Sequence, residues 1–355
     1  MLLIYLGLAV LVYVQFGAGR DPRRNRNLCI YIGLFLFLIS AMKSITFRSD
    51  LVMYTRSYEN LQFYSYHDLI DMWFNDELKD GPFYVVAKIF GDLGLPVEVW
   101  MGFIALLFAV GVAWFIYRNS AKPFLSLMLL MTLDYFWFSL SGLRQVVAMA
   151  IVLMFSYQAI IDRRPIKFLL SVAVAALFHS SAVLFFPAYF IATWKIGIKQ
   201  TILVGGVLVI YFMFPGTVRW LLSQIAWTES MAAYAERTKA LTWSGVIIHL
   251  CIMVYCLLFR SETVLNEYER WRKVDVFVNC MIVGLCLQLF STMIAEAFRM
   301  AYYYNMCCIA VVPNLVVENK RESNHSTMYL LLALCLVAYM LWSRAYSGME
   351  YFWQS

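Results

Sequence analysis

Apolar residues run along this chain in long blocks separated by short polar stretches, without the strict alternation of a half-buried strand. The blocks fall at about 2–16, 28–43, 97–117, 123–140, 143–161, 166–179, 181–194, 200–215, 244–259, 274–291, 300–317 and 327–343. Several are shorter than the roughly 20 residues of a helix that crosses a bilayer upright. Broken or half-spanning helices are therefore expected in the middle of the chain, above all in the pair that meets at His179. The pattern predicts an all-α, polytopic integral membrane protein of about twelve transmembrane or half-spanning helices, forming a single membrane domain over 1–355. The first block has no small-residue cleavage site before Arg20 and reads as a retained helix.

Basic residues between the blocks give this ladder a direction. Arg20, Arg23, Arg24, Arg26, Arg118, Lys122, Arg163, Arg164, Lys167, Lys195, Lys199, Arg260, Arg270, Arg272, Lys273, Lys320 and Arg321 share one side, which is the majority of the 28. By the positive-inside rule that side is cytoplasmic, and both termini lie on the other. Two outward loops are long, at about 44–96 and 216–243. The first is rich in Asp and Glu and contains an amphipathic stretch after Pro82, suited to the membrane interface. The second holds Trp220, Trp227, Tyr234 and Trp243, as an interfacial aromatic belt would.

Composition agrees with the pattern. The 355 residues are 63% hydrophobic and only 14% charged, with a mean hydropathy of +0.71, whereas a soluble domain is about a quarter charged. A soluble enzyme, a disulfide scaffold and a disordered chain are excluded. The net charge of +6 has no basic run with interleaved aromatics, so nucleic acid is not an expected partner. The eight cysteines lie in or beside apolar blocks and form no C-x-x-C, the usage of small buried hydrophobes.

The candidate chemistry sits where charge meets these blocks. An arginine inside an apolar span costs about 2.5–3.5 kcal/mol on insertion scales. Arg144 stands in Ser141-Gly142-Leu143-Arg144-Gln145, between two blocks. With Ser141 as N-cap, its guanidinium would share the first helical turn with free backbone N–H groups, an arrangement suited to a phosphate or diphosphate. The alternative is a side chain that snorkels to the head groups. Arg48 and Asp50 follow the second block, with Tyr54 one turn further on, and a solvated ion pair is their simpler reading. His179 lies in Phe178-His179-Ser180-Ser181 on the same outward side, placed either to act as a base or to be a satisfied core histidine. Arg299 is three residues from Glu296 and precedes Tyr302, Tyr303 and Tyr304; the Glu296–Arg299 pair is also compatible with a purely structural role. Asp134 is expected as a counter-ion for Arg144 or as a proton carrier. His249 has no charged neighbours and no assigned role. There is no Asp-x-Asp, no Gly-rich phosphate loop, no Gly-x-Ser-x-Gly, and no His or Cys pair at metal spacing, so no cofactor and no metal are expected.

Gly142-Leu143-Arg144-Gln145, a following helix, the basic turn Asp162-Arg163-Arg164 and then Phe178-His179-Ser180-Ser181-Ala182 resemble the Wzy/EpsG family of bacterial polysaccharide polymerases. Phe47-Arg48 with Asp50 and Tyr54, the Gly81-Pro82-Phe83-Tyr84 segment, and Arg299 followed by tyrosines fit the same family in the same order. The sequence departs from it in two places. Only Ser49 separates Arg48 from Asp50, where the family has a longer glycine-containing link. The acid that precedes the Pro-Phe segment falls on Asp80, set off by Gly81.

The resemblance implies a metal-independent glycosyltransferase similar to the integral-membrane class C enzymes, in the bacterial cytoplasmic (inner) membrane. It would transfer a growing glycan from undecaprenyl diphosphate to an incoming lipid-linked repeat unit on the periplasmic or outer face. His179, Asp50 and Arg144 are then the expected catalytic residues. Arg48, Arg144, Gln145, Arg299, Tyr303 and Tyr54 are expected to bind the diphosphate and glycan. Undecaprenyl-diphosphate-linked glycans and membrane lipid are the implied partners, together with a chain-length regulator and a flippase. A membrane acyltransferase using His179 as base, and a lipid-linked glycan flippase, are the competing readings.

Overall fold

A computed structural model describes residues 22–46, 48–218, 220, 243–259, 268–293 and 297–318. Among them the chain is helical, with no strand. The helices are α1 (Pro22–Ala41), α2 (Ser49–Asn60), α3 (Tyr66–Phe74), α4 (Gly81–Asp92), α5 (Val97–Asn119), α6 (Pro123–Thr132) and α7 (Tyr135–Ser139). They continue as α8 (Leu143–Ile161), α9 (Pro165–Phe178), α10 (Ala188–Ile191), α11 (Ile198–Met213), α12 (Ser244–Phe259), α13 (Tyr268–Phe290), α14 (Phe298–Asn305) and α15 (Cys308–Glu318). The blocks at 2–16 and 327–343 and most of the loop at 216–243 lie outside the described residues.

Local chemistry sets the helix starts. Proline opens α4, α6 and α9, where a missing N–H costs nothing and a fixed φ favours the first turn. A capping box of Ser65 and Asp68 starts α3. Val97–Asn119, Leu143–Ile161 and Lys273–Phe290 are each long and apolar enough to cross a membrane, and six further described apolar helices are shorter. Exposed apolar side chains such as Leu170, Ile202 and Phe212 give the outside of the bundle a surface suited to lipid.

Small residues let three helices approach closely. A Cβ added at Gly33 on α1 would stand 3.2 Å from the Ala113 Cβ on α5, and one at Gly111 on α5 would stand 3.1 Å from the Ala150 Cα on α8. Around this α1–α5–α8 spine pack α9, α13, α14 and α15. Within α8 a π-turn at Val152–Ser156 adds a residue to the spiral. At its end the Ser156 Oγ meets the Ser171 Oγ of α9 at 2.7 Å, and just beyond it the Tyr157 hydroxyl donates to the Tyr303 carbonyl of α14 at 2.6 Å.

Two blocks are broken. The pair expected to meet at His179 does so: α9 ends at Phe178, His179 is extended, and a 3-10 turn follows over Ser180–Phe185. The block at 123–140 also divides, because Asp134 adopts a left-handed backbone with φ 67° between α6 and α7. Nothing in the apolar pattern signals that second break.

The stretch at 44–96 is helical for most of its length, as α2, α3 and α4. Tyr54 and Tyr58 of α2, Phe83 of α4 and Trp100 of α5 form an aromatic cluster, with the Phe83 and Trp100 rings 4.9 Å apart. The Tyr58 hydroxyl donates to the Leu95 carbonyl at 2.7 Å. Lys88 is buried and pairs with Asp92 at 2.9 Å, while the Tyr66 hydroxyl donates to the same carboxylate at 2.7 Å. The amphipathic stretch after Pro82 is α4, which buries Phe83 and Ala87 against α2, α5 and α9.

Candidate active site

The turn before α4 brings a carboxylate into the bundle. Asp80 has a left-handed backbone with φ 57°, a conformation that Asp tolerates better than most residues. Gly81 follows it, and a Cβ there would lie 2.5 Å from the Trp73 side chain. Only glycine lets this turn close against α3.

Asp80 is buried, and three groups converge on it, one from the start of α8 and two from the break after α9. Its Oδ2 accepts from the Arg144 Nη1 at 3.1 Å and from the His179 Nδ1 at 3.1 Å. Its Oδ1 accepts from the Ser180 backbone N–H at 3.0 Å. Burial alone would raise the Asp80 pKa. The His179 hydrogen bond and charge, the Arg144 guanidinium and the Ser180 N–H outweigh it and hold the carboxyl below its ordinary 3.8.

Arg144 lies in the first turn of α8, as expected, but the cap differs from expectation. Gly142 is the N-cap, and the Ser141 hydroxyl turns back toward the Phe138 carbonyl at 3.5 Å. The tight fit at Gly142 explains the choice, since a Cβ there would stand 2.5 Å from the Phe138 ring. The Arg144 Nε donates to the Tyr54 hydroxyl at 3.4 Å. Burial raises the Tyr84 pKa above its ordinary 10.0, against the pull of Arg144, so the phenol stays protonated near neutrality. The arginine side chain remains 30% exposed while its carboxylate partner is only 4% exposed. The guanidinium is thus anchored on one edge and open on another.

The counter-ion expected from Asp134 is therefore Asp80. Asp134 instead has the Arg48 charge beside it and a hydrogen bond with the Tyr302 side chain. Arg48 is exposed at the N-cap of α2. Asp50 is half-buried in the first turn of α2, and no ion pair or side-chain hydrogen bond joins it to this network among the described residues.

Arg299 enters from α14, with its guanidinium 5.6 Å from the centre of the Phe138 ring. Gln145, next to Arg144 on α8, is buried and donates its Nε2–H to the Arg299 carbonyl at 2.6 Å. Gln145 thus acts on the backbone that carries Arg299. Tyr303 is buried too, and its hydroxyl meets the Ser181 Oγ at 3.3 Å, tying α14 to the turn after His179. Glu296 lies outside the described residues. His249 is satisfied in the core: its Nδ1–H donates to the Gly245 carbonyl at 2.7 Å, and its Nε2 accepts from the Tyr135 hydroxyl at 2.9 Å.

The site thus joins Tyr54, Asp80, Arg144 and His179 in direct contact, with Arg299 fixed to the Arg144 helix through Gln145. Asp80, and not Asp50, is the carboxylate at the centre of this contact. The family pattern pointed at Asp80, but no spacing in the sequence pairs it with residues so far along the chain. Among the described residues no group of three or more His, Cys, Asp or Glu side chains is placed to hold a metal ion.

The described residues form a helical bundle with spans apolar enough to cross a membrane, in which a buried carboxylate holds an arginine and a histidine: the class is a helical membrane protein. A family model described as the EpsG family matches residues 26–354, and the chain belongs to that family. Membership implies a role in polysaccharide polymerisation, with glycosyltransferase-like chemistry. No curated protein and no solved structure matches the chain.

Proposed function

We propose that this protein is a polysaccharide polymerase that transfers a growing glycan from undecaprenyl diphosphate to an incoming lipid-linked repeat unit. The reaction takes place at the outer face of the bacterial cytoplasmic membrane, within a bundle of about twelve full and half spans similar to class C glycosyltransferases. The observation that carries this reading is the contact of Asp80 with both Arg144 and His179.

Each partner then has a defined task. With Nδ1–H donated to Asp80, the imidazole is held in one orientation and its Nε2 lone pair is the free base. The acceptor hydroxyl gives its proton to Nε2 as its oxygen attacks the anomeric carbon of the donor. The bond from that carbon to the diphosphate oxygen breaks, and the electron pair leaves with the lipid diphosphate. Arg144 offers the N–H groups not used by Asp80 and Tyr54 to the growing negative charge, and Arg299 supplies a second cation from α14. Gln145 and Tyr303 position these groups, and Tyr54 orients Arg144. No step in this scheme needs Asp50.

The test is the purified full-length protein in nanodiscs with a synthetic undecaprenyl-diphosphate-linked repeat unit. Longer glycans appearing together with free lipid diphosphate are expected. Unchanged substrate, with the protein folded by its melting curve, would refute the reading. A deletion strain should retain single repeat units on its surface and lose the longer ladder. Loss of all units would indicate transport, and an intact ladder lacking acyl groups would indicate an acyltransferase.

A further inference from the structure

Asp134 is an unusual residue in its surroundings. From Pro123 to Leu140 every residue is buried except this one, which is exposed. Its neighbours Leu133 and Tyr135 are 7% and 0% exposed. The carboxylate therefore reaches accessible space from within a segment that is otherwise core. It does so on a left-handed backbone, φ 67°, a conformation that costs energy at a residue with a side chain and persists where the surrounding structure imposes it.

Its surroundings connect it to the site. The Tyr302 side chain hydrogen-bonds the Asp134 carboxylate, and Arg48 is its neighbouring charge. The Tyr302 ring packs edge-on against Phe138, with centroids 5.2 Å apart. Phe138 in turn lies 5.6 Å below the Arg299 guanidinium and presses on Gly142 at the start of the Arg144 helix. Asp134 is thus tied, through Tyr302 and Phe138, to both cations assigned to the diphosphate.

Resting on the polymerase reading above, we propose that Asp134 is a sugar-binding residue that accepts hydrogen bonds from hydroxyls of the sugar adjoining the diphosphate. A carboxylate has two oxygens and about four lone-pair positions, and Tyr302 occupies only part of that capacity. Sugar hydroxyls are donors matched to the remainder. The proton-accepting role stays with His179, so Asp134 contributes to substrate selection and not to the proton transfer.

The experiment compares the full-length protein and Asp134→Asn on the synthetic lipid-linked repeat unit and on analogues in which single hydroxyls of the lipid-proximal sugar are replaced by hydrogen. Asparagine tolerates the left-handed backbone, so the turn is kept. Wild type is expected to use one such analogue about 10- to 100-fold less efficiently, the range of a hydrogen bond to a charged group. Asp134→Asn should remove most of that penalty and lower kcat/KM for the full substrate chiefly through KM. A purely structural role would leave the discrimination unchanged. If Asp134→Asn discriminates as wild type does, or if wild type discriminates at no hydroxyl, the proposal is overturned while the polymerase reading stands. If wild type does not polymerise the full substrate, it is that reading which fails. Should Asp134→Asn not fold, Asp134→Glu is read in its place: an altered pattern of discrimination supports the proposal, and an unaltered one overturns it.

Discussion

The Asp80 carboxylate and the Arg144 guanidinium meet at 3.1 Å, although one precedes α4 and the other begins α8. This contact fixes the orientation of the fork and leaves part of it exposed. It also makes Asp80 the hinge of the site, because the same oxygen accepts from His179. Replacing Arg144 by Lys retains the charge but not the planar fork, which cannot then bridge Asp80, Tyr54 and a diphosphate together. Arg144→Lys is expected to lose on the order of 100-fold in kcat for glycan transfer. A variant expressed at the normal level that still makes long glycan would remove Arg144 from the diphosphate site.

Asp80→Asn tests the orientation of His179. The amide can hold neither the charge nor the acceptor pattern that both neighbours use, so the imidazole loses its fixed tautomer. A fall in kcat of about 100-fold or more is expected, with a smaller change in KM. Equal kcat in the variant and wild type would show that His179 works independently of Asp80.

The same residue gives the protein a pH dependence of known sign. The Asp80 carboxyl is held below its ordinary 3.8 in the folded state. Its stabilising contribution is therefore complete above that value and is lost as pH falls through the lower, folded value. In melting curves recorded as pH is lowered below about 4, wild type should lose stability relative to Asp80→Asn. Parallel curves for the two proteins would contradict the assignment.

Gly81→Ala would place a methyl group 2.5 Å from the Trp73 side chain, next to the left-handed Asp80. Overpacking of this kind costs roughly 1–3 kcal/mol. The melting temperature should fall, and transfer activity should fall with it as Asp80 moves away from Arg144 and His179. A variant with unchanged melting and activity would show that the turn relaxes freely.

Tyr157→Phe removes the buried hydroxyl that meets the Tyr303 carbonyl at 2.6 Å and the Tyr304 carbonyl at 3.1 Å, which ties α8 to α14 alongside the Gln145–Arg299 bond. A loss of about 1–3 kcal/mol is expected because the Tyr303 carbonyl is left without that donor. Thermal melts of wild type, Tyr157→Phe, Gln145→Leu and the double variant would show whether the two ties act together. A non-additive double variant is the expected result.

The sequence alone determined the helical membrane class, the order of the apolar blocks, the break at His179 and the family. Those features rest on local signals: block length, loop charge, and short motifs such as Gly142-Leu143-Arg144-Gln145. It also singled out Arg144 and His179, because a charge beside an apolar block is conspicuous wherever the chain folds. It did not reveal that Asp80 joins them, that Gln145 and Tyr303 are buried, or that Asp134 lies within reach of the Arg48 charge and of the Tyr302 side chain. Those relationships span three or more helices, and an apolar pattern carries no record of which helix faces which. The close approaches at Gly33, Gly111 and Gly142 and the π-turn in α8 set the separations and rotations of the helices. Only that packing decides which carboxylate meets which cation, and so where a site can form.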